Sequence, residues 1–204
     1  MKIPARWISA ITVLSLAVLL CITVGLPVVQ GSADHVRWDI VSVAFGIPPA
    51  PNTVSAGGIA FASANASLTI RLTGTGTFVA PASGGTSSAV TTGDGTWETF
   101  TSGVSTGSGT YVVTSLASWQ FANLQTPGVN TDLIGSGGAN GNVILRIQYS
   151  DGSDGILGVG CHGPGAPAGI QEGVIATKDF VTYWTAQPPA PGVNANRTSF
   201  HVGQ

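Results

Sequence analysis

"NVILRIQYSDGSDGILGVGCH", residues 142–162, alternates large apolar side chains with other residues on either side of a polar centre that holds two Asp-Gly pairs. Such alternation puts successive side chains on opposite faces of a strand, and Asp-Gly is a favoured tight-turn dipeptide: glycine takes positive φ and aspartate bonds the backbone that follows. The stretch reads as a hairpin of 142–149 with 155–162. With the turn centred between Gly152 and Ser153, Tyr149 faces Ile156, Ile147 faces Gly158, Leu145 faces Gly160 and Val143 faces His162. On that register one face pairs large residues with glycines, and the other joins Ile144, Arg146 and Gln148 to Leu157, Val159 and Cys161.

The same period continues outward. "IQEGVIAT" (170–177) and "FVTYWTA" (180–186) extend the hairpin into an antiparallel meander. Upstream, "HVRWDIVSVAF" (35–45), "ASLTIRLTGTGTFVA" (66–80), "GTWETF" (95–100) and "GTYVVTSLASWQF" (109–121) alternate as well, between turn-forming segments. A glycine-rich loop fills 127–141, a proline-rich stretch spans 187–192, and Phe200 with Val202 suits a last strand that closes the sheet. No segment carries a helical stripe of three turns. The expectation is an all-β fold: a single antiparallel domain of about eight to ten strands, a small meander-rich β-barrel with a two-sheet β-sandwich as the alternative. The recurring "GTGTF", "GDGTW" and "GSGTY" read as flexible turns entering strands anchored by Phe78, Trp97 and Tyr111. A phosphate-cradling role is disfavoured because no helix follows them.

Lys2 and Arg6 precede an uncharged, mostly apolar run from Trp7 to Val29, then small residues at Gly31, Ser32 and Ala33. This is the pattern of a secretory signal cleaved after Ala33, so residues 1–33 are read as a signal peptide and 34–204 as a secreted domain. An uncleaved, membrane-tethering segment is the alternative, since the run is long enough to span a bilayer. Beyond the leader, Arg37, Arg71, Arg146, Lys178 and Arg197 face nine Asp and Glu residues. A chain so poor in positive charge offers no footprint for nucleic acid. Only Cys161 remains after cleavage, so no intrachain disulfide forms.

Four candidate sites deserve separate treatment. Cys161 and His162 are neighbours on one strand and point to opposite faces, which rules against a Cys-His dyad. Asp151 and Asp154 bracket the hairpin turn; calcium binding needs 6 to 8 oxygens, and turn chemistry explains the pair more economically. His162 and Glu172 come together if "GPGAPAG" (163–169) pairs His162 with Ile170 and Gly160 with Glu172. A carboxylate beside an imidazole then makes an acid/base pair or a structural ion pair, and a one-residue register change turns Glu172 away. Trp119, Tyr183 and Trp184 are candidates for a sugar-stacking surface against the commoner role of core anchors. Tyr183 and Trp184 must face opposite ways. Asn65 and Asn196 lie in glycosylation sequons.

No motif announces a cofactor, a metal centre or a nucleophile. The leading expectation is a secreted non-catalytic domain that binds a small apolar or saccharide ligand in a barrel mouth or on an aromatic strip. An enzyme (lyase, isomerase or hydrolase) working through His162 and Glu172, and a structural or adhesive extracellular protein, are the alternatives. The partners expected are a small molecule or carbohydrate, with no nucleic acid and no membrane once the signal is removed.

Overall fold

The computed structural model describes residues 34–80 and 91–203; the signal expected at 1–33 lies outside them. The described chain is all β, with no helix. Its strands are β1 (Asp34–Ala44), β2 (Asn52–Ala56), β3 (Ala60–Ser63), β4 (Leu68–Leu72), β5 (Thr75–Ala80), β6 (Thr91–Thr101) and β7 (Val104–Leu124). They continue with β8 (Asn130–Asp132), β9 (Gly138–Tyr149), β10 (Asp154–Cys161), β11 (Gly173–Lys178), β12 (Val181–Tyr183), β13 (Thr185–Ala186) and β14 (Thr198–Val202).

Six strands close on themselves in the order β9, β14, β1, β5, β6, β7 and back to β9, which makes a small antiparallel β-barrel. Three of its strands are long enough to carry more. On the edge away from β7, β9 pairs β14 at Gly138 and Ala139 and then β10 from Gly141 to Gln148. Likewise β6 pairs β5 from Thr91 to Asp94 and β4 from Trp97 to Thr101. The sheet therefore leaves the ring as two wings, β10–β11–β12 and β4–β3–β13. Chain continuity joins them, because β12 on β11 runs through Trp184 into β13 on β3.

β7 is bent to serve both regions. Its pairing with β9 shifts register at three places, between Val113 and Ser115, Leu116 and Ser118, and Phe121 and Asn123. Each irregularity adds a residue to one strand and coils it, as a small closed sheet requires. The inward side chains of β7 consequently fall at Tyr111, Val113, Leu116 and Trp119, not at every second residue.

The ring is filled, not hollow. Trp119 packs edge-on against Phe78 at 5.3 Å and Phe200 at 4.8 Å between centroids, and Trp38 is fully buried. Large side chains like these each stabilise the fold by about 1.5–3 kcal/mol through burial. Room for Trp38 comes from Gly76 of β5 and Gly93 of β6: an added Cβ would lie 2.6 Å and 2.9 Å from its indole. The glycines of "GTGTF" and "GDGTW" expected in turns thus include strand residues that let a neighbouring ring approach.

The hairpin of the opening stretch forms, in a different register. Asp154 pairs with Gln148, Leu157 with Leu145 and Cys161 with Gly141. The cause is a turn centred on Asp151 and not between Gly152 and Ser153. Gly152, at φ 90°, donates to the Tyr149 carbonyl at 2.9 Å, and Tyr149 N–H donates to Ser153 O at 2.8 Å. The Asp151 carboxylate accepts the Ser153 N–H at 3.0 Å and its hydroxyl at 2.7 Å. Only the first Asp-Gly makes the turn, and Asp154 already belongs to β10. As a result Leu157, Val159 and Cys161 face the core with Val143 and Leu145, and Gly158 and Gly160 face outward beside Ile144 and Asn142.

One arm stands off the ring. β2 pairs antiparallel with the end of β1, and β8 pairs parallel with β2, the one parallel ladder among the described strands. Asp132 of β8 ties this arm back to the barrel wall, its Oδ2 lying 2.9 Å from Nε2 of the buried His201.

Candidate functional site

Beneath that arm lies a cavity of about 700 Å³. Alternation along β1 explains where it sits. Trp38 and Ile40 point into the ring, so Val41 and Val43 take the outer face, where with Val54 of β2 they form an aliphatic wall. Leu124 at the end of β7, His162, Glu172, Arg197 and Ser199 of β14 contribute to its lining on the other side, and Asp132 and Asn130 of β8 to its lining beneath the arm. The cavity is therefore on the flank of the barrel, at the end where the loops after β7, β10 and β13 gather; the barrel interior contributes nothing to it.

Glu172 follows from the β10–β11 register. Gly160 pairs with Gly173, one residue from the expected partner, which keeps Glu172 on the side of Val174 and Ala176 and turns His162 outward. The carboxylate then meets main chain: Oε2 accepts the His162 N–H at 2.5 Å and Oε1 the Thr198 N–H at 2.6 Å. The imidazole is exposed and looks elsewhere, its Nδ1 donating to the Ile170 carbonyl at 2.7 Å. Burial pushes the Glu172 carboxyl above the ordinary range, against the opposing pull of those N–H donors, the Thr198 hydroxyl and Arg197. The acid and the imidazole are thus brought within one residue of each other and do not form a side-chain pair. What Glu172 does is clasp the ends of β10 and β14, satisfying two amides at a strand terminus.

The other sequence candidates disperse. The Asp151 carboxylate is bound by the Lys178 ammonium at 2.5 Å, and Asp154 stands exposed at the start of β10. No set of three or more His, Cys, Asp or Glu among the described residues is arranged to hold a metal ion. Trp119 and Tyr183 are core residues, at 7% and 4% exposure, whereas Trp184 is 67% exposed. Cys161 is fully buried, with its thiol pushed up by desolvation. Of the two sequon asparagines, Asn65 is exposed and Asn196 is buried, its side chain bonded to Phe61 N–H and the Pro188 carbonyl.

Two features escaped the sequence. The Arg37 guanidinium grips the buried Asp39 through Nε at 2.8 Å and Nη2 at 2.9 Å, and their i, i+2 spacing on one strand was the available signal. Arg197 had no such signal, because it lies in a tail with no readable period. A second, shallower hollow of about 350 Å³ occupies the outer face of the β7–β9–β10–β11 sheet, between Gln120, Asn142, Gln171 and Ile175.

No protein-family model matches the chain, and no curated protein or solved structure is significantly similar to it.

Proposed function

We propose that the protein is an exported, non-catalytic binding domain that holds a small, mainly aliphatic molecule in the cavity between β1, β14 and the β2–β8 arm. The observation that carries this reading is the cavity itself. At about 700 Å³ it is well above the ~300 Å³ at which small-molecule pockets begin, and its lining sets an aliphatic wall of Val41, Val43, Val54 and Leu124 against polar side chains such as Asn52, Asn130 and Arg197. Catalysis by His162 and Glu172 is disfavoured because both oxygens of the acid serve main-chain amides. A saccharide is disfavoured in this cavity, since no Trp, Tyr or Phe ring lines it. The outer hollow, rimmed by three side-chain amides and near the chain segment that exposes Trp184, suits a saccharide better as a second reading.

Native mass spectrometry and thermal shift on the wild type and on Leu124→Trp, a half-exposed rim residue, test the proposal. Aliphatic probes should bind the wild type and raise its melting temperature, and the indole of the variant should abolish both effects without lowering the unliganded melting temperature. Uptake unchanged by the substitution, or no uptake of any aliphatic probe, would exclude the cavity as the binding site.

A further inference from the structure

The charged groups lining the flank cavity are not equally matched. Asp132 has His201 and the Ile134 N–H, at 2.9 Å each, and Glu172 has the amides of His162 and Thr198. Arg197 has no carboxylate within ion-pair distance among the described residues. Its Nη1 donates to the carbonyls of Val193 and Ala195, both at 3.3 Å, and Nη2 donates once, to Ala190 O at 3.4 Å. That leaves the Nε–H and one Nη2–H without a protein partner among the described residues. These are the two nitrogens through which Arg37 holds Asp39. The Phe45 ring centroid lies 5.3 Å from the guanidinium carbon.

We infer that the ligand of this cavity carries a carboxylate, received by the Nε and Nη2 fork of Arg197, with its aliphatic part lying along Val41, Val43, Val54 and Leu124. The inference rests on the reading of the flank cavity as a ligand site. A planar guanidinium whose Nε and Nη2 can both donate matches a carboxylate bidentately, and a charge-assisted pair of this kind in a partly desolvated site is among the stronger polar contacts. An aliphatic amphiphile satisfies both halves of the lining. A cation would meet the Arg197 guanidinium while the oxygens of Asp132 and Glu172 are already engaged, and a neutral hydrocarbon would leave Nε unmet. Glu172 is felt by Arg197 at longer range, and its own oxygens are already occupied.

Calorimetric titration of the full chain with decanoate, below its micelle concentration, and with 1-decanol separates the two ideas. Decanoate should bind the wild type at least tenfold tighter than decanol, and Arg197→Gln should bring decanoate down to the decanol level, a loss of roughly ten- to a hundredfold. Arg197→Lys, which keeps the charge and loses the fork, should fall between them. Unchanged decanol binding by Arg197→Gln shows that the cavity survives the substitution; if it does not, the wild-type ratio and Arg197→Lys decide. Decanol binding as tightly as decanoate overturns the carboxylate inference and leaves the cavity reading intact. Binding of neither probe overturns both.

Discussion

The Lys178 ammonium lies 4.2 Å from the centroid of the Trp97 ring and 4.7 Å from that of Tyr149, with its side chain almost wholly buried. It also donates to Asp151, Asp179 and Ser153, so one cation joins the β9–β10 turn to the β11–β12 turn. Replacing it by methionine keeps the buried stem and removes the charge, which should cost about 1–2 kcal/mol. Alanine also opens a cavity and should cost about 2–4 kcal/mol. Urea denaturation of both variants reads the difference, and equal losses would mean that packing contributes nothing.

The same contact sets an acid limb. Lys178 and Ser153 lower the Asp151 carboxyl from 3.8 to about 2. A carboxyl depressed in the folded state contributes stability that is present above its unfolded value and is lost as pH falls through the folded one. Stability should decline between pH 3.8 and about 2 in the wild type, and Lys178→Met should flatten that part of the profile.

Glu172 works in the opposite sense. Burial raises its carboxyl, so the folded state retains the proton longer than the unfolded chain does. Its stability contribution therefore falls as pH rises from the ordinary carboxylate range through the raised value. Glu172→Gln should remove this dependence. It should also destabilise by about 1–3 kcal/mol, since an amide has one acceptor oxygen for two main-chain N–H groups and sets its NH2 against the other. Denaturant midpoints measured across that pH range test both effects.

The β11–β12 turn places Asp179 at φ 49° and Phe180 at φ 66°, with the Phe180 ring fully exposed. Two left-handed residues in a two-residue hairpin loop suit Asn-Gly, and a phenylalanine there is strained. Phe180→Gly loses no burial and should stabilise by about 1 kcal/mol, seen as a higher melting temperature. A lower melting temperature would show that the ring has an unrecognised contact.

Gly76 is the converse case. A Cβ there would lie 2.3 Å from the Thr92 carbonyl oxygen and 2.6 Å from the Trp38 indole nitrogen. Gly76→Ala should cost roughly 1–3 kcal/mol by forcing Trp38 or β6 aside. Near-UV circular dichroism should change with it, because Trp38 is the ring displaced.

What alternation alone determines was legible: Tyr183 and Trp184 part company, Cys161 and His162 do too, and Phe200 with Val202 lies in the strand that closes the ring. Register was not, because it depends on which of two Asp-Gly pairs makes the turn, and the choice lies in hydrogen bonds of Tyr149, Asp151 and Ser153. β7 hid its inward residues because two of its bulges reset the period between Val113 and Trp119. Glu172 was found as a residue and misread in its partner, since pattern reasoning looks for side chains and the partners are backbone amides. Arg197 and the flank cavity depend on long-range packing of the β2–β8 arm, which no local pattern encodes.

The ring closes between the first and the last of the described strands. β1 must wait for β14, which enters between it and β9. Contacts of such long sequence separation reward the chain only after a large loss of loop entropy. Until β14 pairs, the facing edges of β1 and β9 both stay open, so the unclosed ring presents two unpaired strand edges to any other chain it meets.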